Sequence, residues 1–274
     1  MKKNKLIAPF LKWVGGKRQL MPAINELLPK KYTNYHEPFL GGGALLFNIQ
    51  PKKAVINDFN EELINVYKVI KDKPEELIAD LETHKNESDY FYNIRALDRE
   101  KDFNELSDIK KASRVIYLNK TCYNGLYRVN NSGEFNSPFG RYKNPNIRNE
   151  TTIRAVSKYL NNNEITILNN DFEDVLKDIN KGAFVYFDPP YDPVSQSSNF
   201  TGYIQGGFDI FDQIRLRDLC DQLNKKGVKF LLSNSATPLI EDLYKNYKII
   251  YVKANRSINS NGEKRGEVEF KLES

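Results

Sequence analysis

The sequence has few of the residues that disulfide, metal or membrane chemistry requires. Its 274 residues include only two cysteines, Cys122 and Cys220, and two histidines, His36 and His84. Two cysteines build no disulfide framework, which favours a reducing, cytoplasmic location, and neither histidine has the cysteine pair of a zinc site nearby. No apolar run approaches the ~20 residues of a membrane helix, and no apolar stretch of a signal peptide follows the basic first residues. We therefore expect no metal and no membrane attachment.

Aromatic residues and local charge are the features that the sequence does have. The chain contains 16 Phe and 16 Tyr, and 40% of its residues are hydrophobic, which is enough for a large core. The net charge of +5 is small, but residues 110–154 contain only two acids, Glu134 and Glu150. The same segment carries nine basic residues: Lys110, Lys111, Arg114, Lys120, Arg128, Arg141, Lys143, Arg148 and Arg154. Because Tyr, Phe and Asn are interleaved with these cations, the segment predicts a nucleic-acid-binding surface.

Strand and helix patterns alternate in both end regions of the chain and are interrupted in the middle. From Asn60 to about Leu118 the pattern is helical, and residues 119–149 form a loop rich in Gly and Pro. Strands are expected at 35–39, 54–57, 165–168, 184–187, 229–232, 249–252 and 266–271, and helices at 19–28, 44–49, after Asp171, at 211–224 and at 239–243. The sequence thus predicts an α/β fold, a Rossmann-like mixed sheet from residues 1–59 and 146–274, with a mostly helical insertion at 60–145. Residues 1–59 and residues 146–274 contribute strands to the same sheet, so neither stretch should fold alone.

A short acidic and proline-rich motif, Asp188-Pro189-Pro190-Tyr191, follows the apolar run 183–187. A carboxylate and a carbonyl fixed by proline can together accept both hydrogens of an amino group, while the Tyr191 ring stacks on a flat base. These three groups together suit the binding of the exocyclic amino group of adenine or cytosine. The alternative is a strand that merely ends in a rigid turn.

Two glycine-containing segments could let a ligand approach the backbone closely. The segment from Phe10 to Lys17 offers the flat ring of Trp13 and the cation of Lys17, but it lacks the spacing of a nucleotide-triphosphate loop. The segment from Glu37 to Gly43 lies between a strand and a helix and contains Phe39, Gly41 and Gly43. The first segment could equally be a turn before the helix at 19–28.

Acids follow two further predicted strands. Asp58 is placed to hydrogen-bond ribose hydroxyls, as acids do in dinucleotide sites, and Asp171-Phe172 could bind an adenine amino group and cover its ring. Either acid could instead cap a helix.

These motifs together resemble the S-adenosylmethionine-dependent amino-methyltransferases, and their order is similar to that of the alpha class. The segments 119–128 and 133–143 are very similar to the DNA-reading segment of Dam-type methyltransferases specific for GATC. The resemblance covers almost the whole chain.

The resemblance implies an adenine-N6 methyltransferase that transfers a methyl group from S-adenosylmethionine to a flipped-out adenine of GATC in double-stranded DNA. The product would be S-adenosylhomocysteine, and no covalent enzyme intermediate would form. Catalytic roles then fall on Asp188, Pro189, Pro190 and Tyr191. Cofactor-binding roles fall on Trp13, Lys17, Phe39, Gly41, Gly43, Asp58, Asp171, Phe172 and Asp188.

The same resemblance implies DNA-binding roles for Lys12, Tyr123, Asn124, Leu126, Arg128 and Pro138. Tyr123 would wedge into the duplex, and Asn124 would contact the vacated space. Leu126, Arg128 and Pro138 would contact base edges, and Lys12 would contact the first guanine. The enzyme would be associated with the nucleoid when bound to DNA, and a cognate restriction endonuclease is left open as a genetic partner.

Two rival interpretations remain open from the sequence. The Asp188–Tyr191 motif also fits a methyltransferase that acts on RNA adenine or on cytosine N4. The other rival is a DNA-binding protein that keeps this scaffold without catalysis. The sequence leaves open whether the protein protects host DNA, marks DNA for repair or replication, or serves a phage.

Overall fold

Seven strands in the described part of the chain form one mixed sheet. The structure, a computed structural model, describes residues 3–13, 17, 19–193, 207–253 and 267–272. The strands are β1 (Tyr35–Glu37), β2 (Lys53–Asn57), β3 (Glu164–Leu168), β4 (Phe184–Phe187), β5 (Lys229–Ser235), β6 (Lys248–Lys253) and β7 (Glu267–Leu272). Their order is β3-β2-β1-β4-β5-β7-β6. The first five in this order are parallel, and β7 runs antiparallel to both β5 and β6. The predicted α/β class with a mixed sheet is confirmed.

Strand β4 is buried on both faces, which explains why its sequence is apolar without alternation. Phe184 and Tyr186 belong to one hydrophobic cluster, and Val185 and Phe187 to the cluster on the other face. The sheet is therefore the middle of three layers.

The helices divide between these two clusters. The first cluster takes residues from seven helices: α1 (Met21–Leu27), α2 (Ala44–Ile49), α3 (Glu61–Asp72), α4 (Pro74–Glu82), α5 (Ser88–Ala96), α6 (Asp108–Thr121) and α7 (Glu150–Asn161). The second takes residues from α8 (Ile210–Lys225) and α9 (Pro238–Leu243). No helix in the described ranges is long and apolar enough to cross a membrane.

The helices between β2 and β3 share a core with the sheet. Leu63 of α3 and Ile116 of α6 belong to the same buried cluster as Tyr35 of β1 and Phe184 of β4. Residues beyond α6 join it too, since Tyr127 and Phe135 are buried there. The proposed insertion at 60–145 is thus continuous with the sheet in its packing, and its boundaries stay a prediction.

Three local expectations need correction. The helix expected after Asp171 is wrong, because the chain there forms only a three-residue 3-10 turn, Asp174–Leu176. The strand expected at 35–39 ends at Glu37, since Pro38 has no N–H for the ladder. The helical stretch 60–118 is broken into α3 to α6, and Pro74 begins the second of these helices.

The topology brings two predicted motifs together. Strands β1 and β4 are parallel neighbours, with Tyr35 beside Phe184 and His36 beside Val185. The glycine segment after β1 and the Asp188 motif after β4 therefore leave the same edge of the sheet, where the strand order reverses. In open α/β sheets this is the position where ligands bind.

Candidate functional site

The acidic motif after β4 holds an ion pair between a buried lysine and a partly buried aspartate. The Nζ atom of Lys17 lies 2.7 Å from Oδ1 of Asp188, and the two side chains are 4% and 22% exposed. The same Nζ lies 4.8 Å from the centroid of the Tyr191 ring. Lys17, which the resemblance assigns to the cofactor, thus also contacts the predicted catalytic pair. Residues 14–16 of its segment lie outside the described residues.

The charges at this edge of the sheet depend on burial. Burial raises the pKa of Asp188, and Lys17 opposes that rise. Burial lowers the pKa of Lys17, but the interactions with Asp188 and Tyr191 outweigh it and hold that pKa above its usual value. Burial also raises the pKa of Glu37 to about 8, although the Tyr35 hydroxyl donates to its Oε2 at 2.7 Å. The site therefore combines the Lys17–Asp188 ion pair with a carboxyl, Glu37, whose raised pKa favours its protonated form at neutral pH.

The glycine segment after β1 is joined to the acid after β2. The N–H of Gly41 donates to Oδ2 of Asp58 at 2.8 Å, and the N–H of Asn60 donates to Oδ1 at 3.0 Å. Burial raises the pKa of Asp58 to about 6, and these two hydrogen bonds oppose the rise. Asn60, whose side chain accepts from Leu63, is the cap of α3. The alternative of Asp58 as that cap is therefore wrong.

Gly41 is required by both its backbone and its neighbours. Its φ is +49°, and a Cβ there would lie 2.8 Å from Cδ1 of Trp13. The Trp13 ring in turn stacks on Tyr127, with centroids 4.9 Å apart and planes at 26°. The cofactor-type segment thus packs against the loop that the resemblance assigns to DNA.

The acid after β3 is held by an arginine that sequence reasoning missed. Nη2 of Arg215, on α8, lies 2.9 Å from Oδ1 of Asp171, and its guanidinium carbon lies 4.9 Å from the Phe172 ring centroid. Phe172 is 5% exposed, and its ring packs against that of Phe39 with the two centroids 5.2 Å apart. Nothing in the local pattern of α8 distinguishes Arg215 from an exposed helix residue.

The predicted DNA-reading residues form an exposed tip. Tyr123 is 58% exposed, and its N–H donates to the Pro138 carbonyl at 2.8 Å. Asn124, between Tyr123 and Gly125, is exposed and has a φ of +57°. Tyr123, Asn124 and Pro138 therefore lie together at one end of the loop, while Leu126 is half-buried.

Arg128 is oriented by a neighbouring asparagine. Its Nε donates to Oδ1 of Asn136 at 2.6 Å, and its Nη2 donates to the Asn136 carbonyl at 3.3 Å. The Asn136 N–H donates back to the Arg128 carbonyl at 2.9 Å. These bonds use two of the five guanidinium N–H groups, and the remaining donors can form a fork with an external acceptor.

Asn119, whose contacts the sequence did not indicate, joins the segment of Lys12 to the loop of Gly125. Its Oδ1 accepts from the Lys12 N–H at 2.9 Å, and its Nδ2 donates to the carbonyls of Lys12 at 2.7 Å and Gly125 at 3.1 Å. The side chain of exposed Lys12 lies against Gly125. Burial, and then the charge of Lys12, lower the pKa of Lys120 to about 8. Two close cations at this surface favour an anionic partner.

A buried ionic network supports the loop from below. Arg114 is 2% exposed, and its Nη2 lies 2.6 Å from Oδ2 of Asp98. That same oxygen accepts from the Phe135 N–H at 2.7 Å. Glu62 lies 3.4 Å from Nη1 of Arg114 and accepts from the Tyr127 hydroxyl at 2.5 Å. The loop is therefore fixed to α3 and α6.

Metal ligands do not gather anywhere in the part of the chain that the structure describes. No group of three or more His, Cys, Asp or Glu residues lies close enough there to hold an ion.

Comparison with known proteins shows the family of the chain. Residues 13–258 match the family model of the D12 class N6 adenine-specific DNA methyltransferases. The chain is 49% identical to the Type II methyltransferase M1.LlaDCHI of Lactococcus lactis subsp. cremoris, over 98% of this chain and 95% of that protein. It is 43% identical to the Type II methyltransferase M.MjaIII of Methanocaldococcus jannaschii, over 97% and 98%. It is 38% identical to a DNA adenine methylase of Serratia marcescens, over 95% and 94%. The chain therefore belongs to the D12 class of N6 adenine-specific DNA methyltransferases.

Proposed function

We propose that this DNA adenine-N6 methyltransferase takes its methyl group from S-adenosylmethionine and modifies the adenine of GATC in double-stranded DNA. The observation that carries the proposal is the position of Asp188. Asp188 directly follows β4, at the sheet edge where the glycine segment follows β1. Its carboxylate is paired with Lys17 at 2.7 Å. The exposed tip of Tyr123, Asn124 and Pro138 supplies a separate surface for the duplex.

The residues at the carboxyl ends of three strands fit the proposed cofactor. Asp58 after β2 can accept from ribose hydroxyls, and Asp171 after β3 can accept from the adenine amino group. Gly41 and Gly43 allow close approach after β1, and both have positive φ. When bound, S-adenosylmethionine supplies an electrophilic methyl group on a sulfonium. Family members are methyltransferases, which supports the choice of this donor.

The chain's own groups prepare the target nitrogen. An adenine in a duplex must be flipped out before its amino group can be reached. Asp188 and the Pro189 carbonyl would accept the two amino hydrogens, and Tyr191 would stack on the base. These bonds localise the lone pair on the amino nitrogen, away from the ring, and point it toward the methyl group. Much of the rate should therefore come from positioning. The Lys17 ammonium, 2.7 Å from Oδ1 of Asp188, favours the ionised carboxylate, which is the form that accepts, and so opposes the rise in pKa that burial causes.

No nucleophilic side chain is needed for this route. Cys122 and Cys220 are both buried, and burial raises the pKa of Cys122 to about 12. Its thiol is therefore protonated at neutral pH and is not a nucleophile.

The insertion at 60–145 is proposed as the target-recognition domain. Tyr123 would enter the duplex beside the adenine, and Asn124 would contact the space that the base leaves. Leu126, Arg128 and Pro138 would read base edges, with the remaining Arg128 donors matching O6 and N7 of guanine. Lys12 would contact the first guanine, where the nearby cation of Lys120 adds attraction for the DNA backbone.

The family membership argues against both rivals. The matched family acts on the N6 of adenine in DNA, so RNA and cytosine N4 are disfavoured, as is a scaffold without catalysis. Two similar proteins are named Type II methyltransferases, which supports a cognate restriction endonuclease as a genetic partner. A neighbouring gene whose product cuts the same unmethylated site would bear this out.

The test is transfer of labelled methyl from S-adenosylmethionine to two duplexes, one with GATC and one with the same bases scrambled. Labelling of the GATC duplex alone, recovered as N6-methyladenine, is the expected result. Equal labelling of both duplexes would refute the GATC specificity and the assigned reading roles. No labelling with this donor, although another methyl donor supports transfer, would refute the cofactor.

A further inference from the structure

Two buried amides lie behind the Asp188–Tyr191 motif and bind its backbone. Gln213 of α8 is 1% exposed, and Asn234 of β5 is fully buried. Nε2 of Gln213 donates to the Pro190 carbonyl at 3.1 Å, and Nδ2 of Asn234 donates to Oε1 of Gln213 at 3.0 Å. The Asp192 N–H donates to Oδ1 of Asn234 at 3.1 Å. The chain of bonds therefore begins and ends on the backbone on either side of Tyr191.

The direction of every bond in this chain is fixed by backbone groups. The N–H groups of Asp192 and Ser235, at 3.1 and 2.8 Å from Oδ1 of Asn234, can only donate. Asn234 must therefore turn its NH₂ group toward Gln213, whose oxygen is the atom that can accept. The NH₂ group of Gln213 then faces the Pro190 carbonyl, which can only accept. Neither amide can flip without leaving buried polar atoms unpaired, a change that costs free energy.

We propose that Gln213 and Asn234 are positioning residues that hold the Pro190–Asp192 turn, and through it the Tyr191 ring, in the geometry for methyl transfer. The inference rests on the proposed function of the motif. Gln213 binds the Pro190 carbonyl from the side of α8, and the Pro189 carbonyl is the acceptor that the proposed function assigns to the target amino group. A third bond anchors the same turn, from the Thr237 hydroxyl to Oδ2 of Asp192 at 2.6 Å.

Two substitutions separate the hydrogen bond from the volume of the side chain. Gln213→Met keeps nearly the same shape but loses both polar atoms, and Gln213→Glu keeps the shape but places an acceptor against the Pro190 carbonyl. The matched control is Gln222→Glu, the same charge change at an exposed position of the same helix. Each variant is assayed as the full chain on the GATC duplex, and cofactor affinity is measured by calorimetry without DNA.

We expect kcat to fall about tenfold in Gln213→Met and further in Gln213→Glu, a tenfold loss being ~1.4 kcal/mol of barrier. The cofactor Kd and the KM for the duplex should stay within about twofold of the wild type, because both amides are buried behind the motif. Gln222→Glu should match the wild type in all three. Adding Asn234→Ala to Gln213→Met should lower kcat by much less than Asn234→Ala alone, since both break one chain of bonds.

Each contrary result has a distinct meaning. A kcat within twofold of the wild type in Gln213→Met would overturn the positioning role while leaving the proposed function intact. A kcat loss matched by an equal loss of cofactor affinity would also overturn it, because it would indicate a general structural defect. No methyl transfer by the wild type itself would overturn the proposed function, and the positioning role with it.

Discussion

Replacing Asn119 should weaken both the fold and the DNA affinity, because its side chain joins the proposed cofactor segment to the proposed DNA-reading tip. Asn119→Ala removes three hydrogen bonds to backbone groups, two at Lys12 and one at Gly125. At ~1 kcal/mol for each bond, the loss should be about 3 kcal/mol of the free energy of unfolding. Asn119 is 1% exposed, so water cannot replace these bonds without local opening.

The aspartate variant gives a sharper test of the same reasoning. Asn119→Asp keeps an acceptor for the Lys12 N–H but turns a carboxylate toward two carbonyl oxygens. At neutral pH it should therefore be less stable than Asn119→Ala, although it is closer in shape to the wild type. Simple loss of volume would give the opposite order.

The assay is denaturant unfolding, followed by duplex affinity under conditions where each variant is folded. Asn180→Ala, a change at an exposed asparagine, is the matched control and should be neutral. Duplex affinity should fall about tenfold in Asn119→Ala, since Lys12 and the Tyr123–Gly125 turn lose their common support. An unfolding free energy within roughly 0.5 kcal/mol of the wild type would refute the reasoning, because surface substitutions lie in that range.

Three further changes test the site. Asp188→Ala should abolish methyl transfer while calorimetry still detects cofactor binding, and retained turnover would remove Asp188 from its role. Arg128→Ala should cost roughly 1–3 kcal/mol of discrimination at one guanine in competition binding, whereas an equal loss on all sequences would make it a phosphate contact. Glu37→Gln should flatten the pH dependence of stability, because the pKa of Glu37 is raised from 4.5 to about 8 in the folded protein. A carboxyl with a raised pKa stabilises the fold below its unfolded pKa, and that contribution is lost as pH rises through about 8, by up to ~1.4 kcal/mol per pH unit. The free energy of unfolding is measured by urea at several pH values. The same dependence on pH in the variant and the wild type would contradict this assignment.

The local sequence pattern predicted most strands because a strand buried on both faces consists of consecutive apolar residues. The run at β4 is apolar throughout since both of its faces are covered, and α2 was predicted with the bounds that the structure has. The helix expected after Asp171 was wrong because the Asp171 carboxylate bonds Arg215 of α8 and the Glu173 N–H, and only a 3-10 turn follows. A partner 44 residues away leaves no local signal.

The supporting residues of the site were not predictable for the same reason. Asn119 binds Lys12, 107 residues earlier in the chain, and Gln213 binds Pro190 from another element. An asparagine or a glutamine in a helix is common, and only the fold shows which carbonyl it faces. The motif of Asp188 was accessible because its chemistry lies in consecutive residues.

The Arg114 network has a consequence for changing the sequence that such an enzyme recognises. The tip proposed to face the duplex is short, but its loop is tied through Phe135 and Tyr127 to Asp98 and Glu62, with Arg114 buried between them. If a relative's loop were grafted onto this chain, it would have to pair with the Asp98, Arg114 and Glu62 side chains already here. Any mismatch would leave a buried ion without its partner. If the tip reads DNA as proposed, specificity is inherited as a unit that includes the helices below, and the exposed tip can vary only while this ionic network is kept.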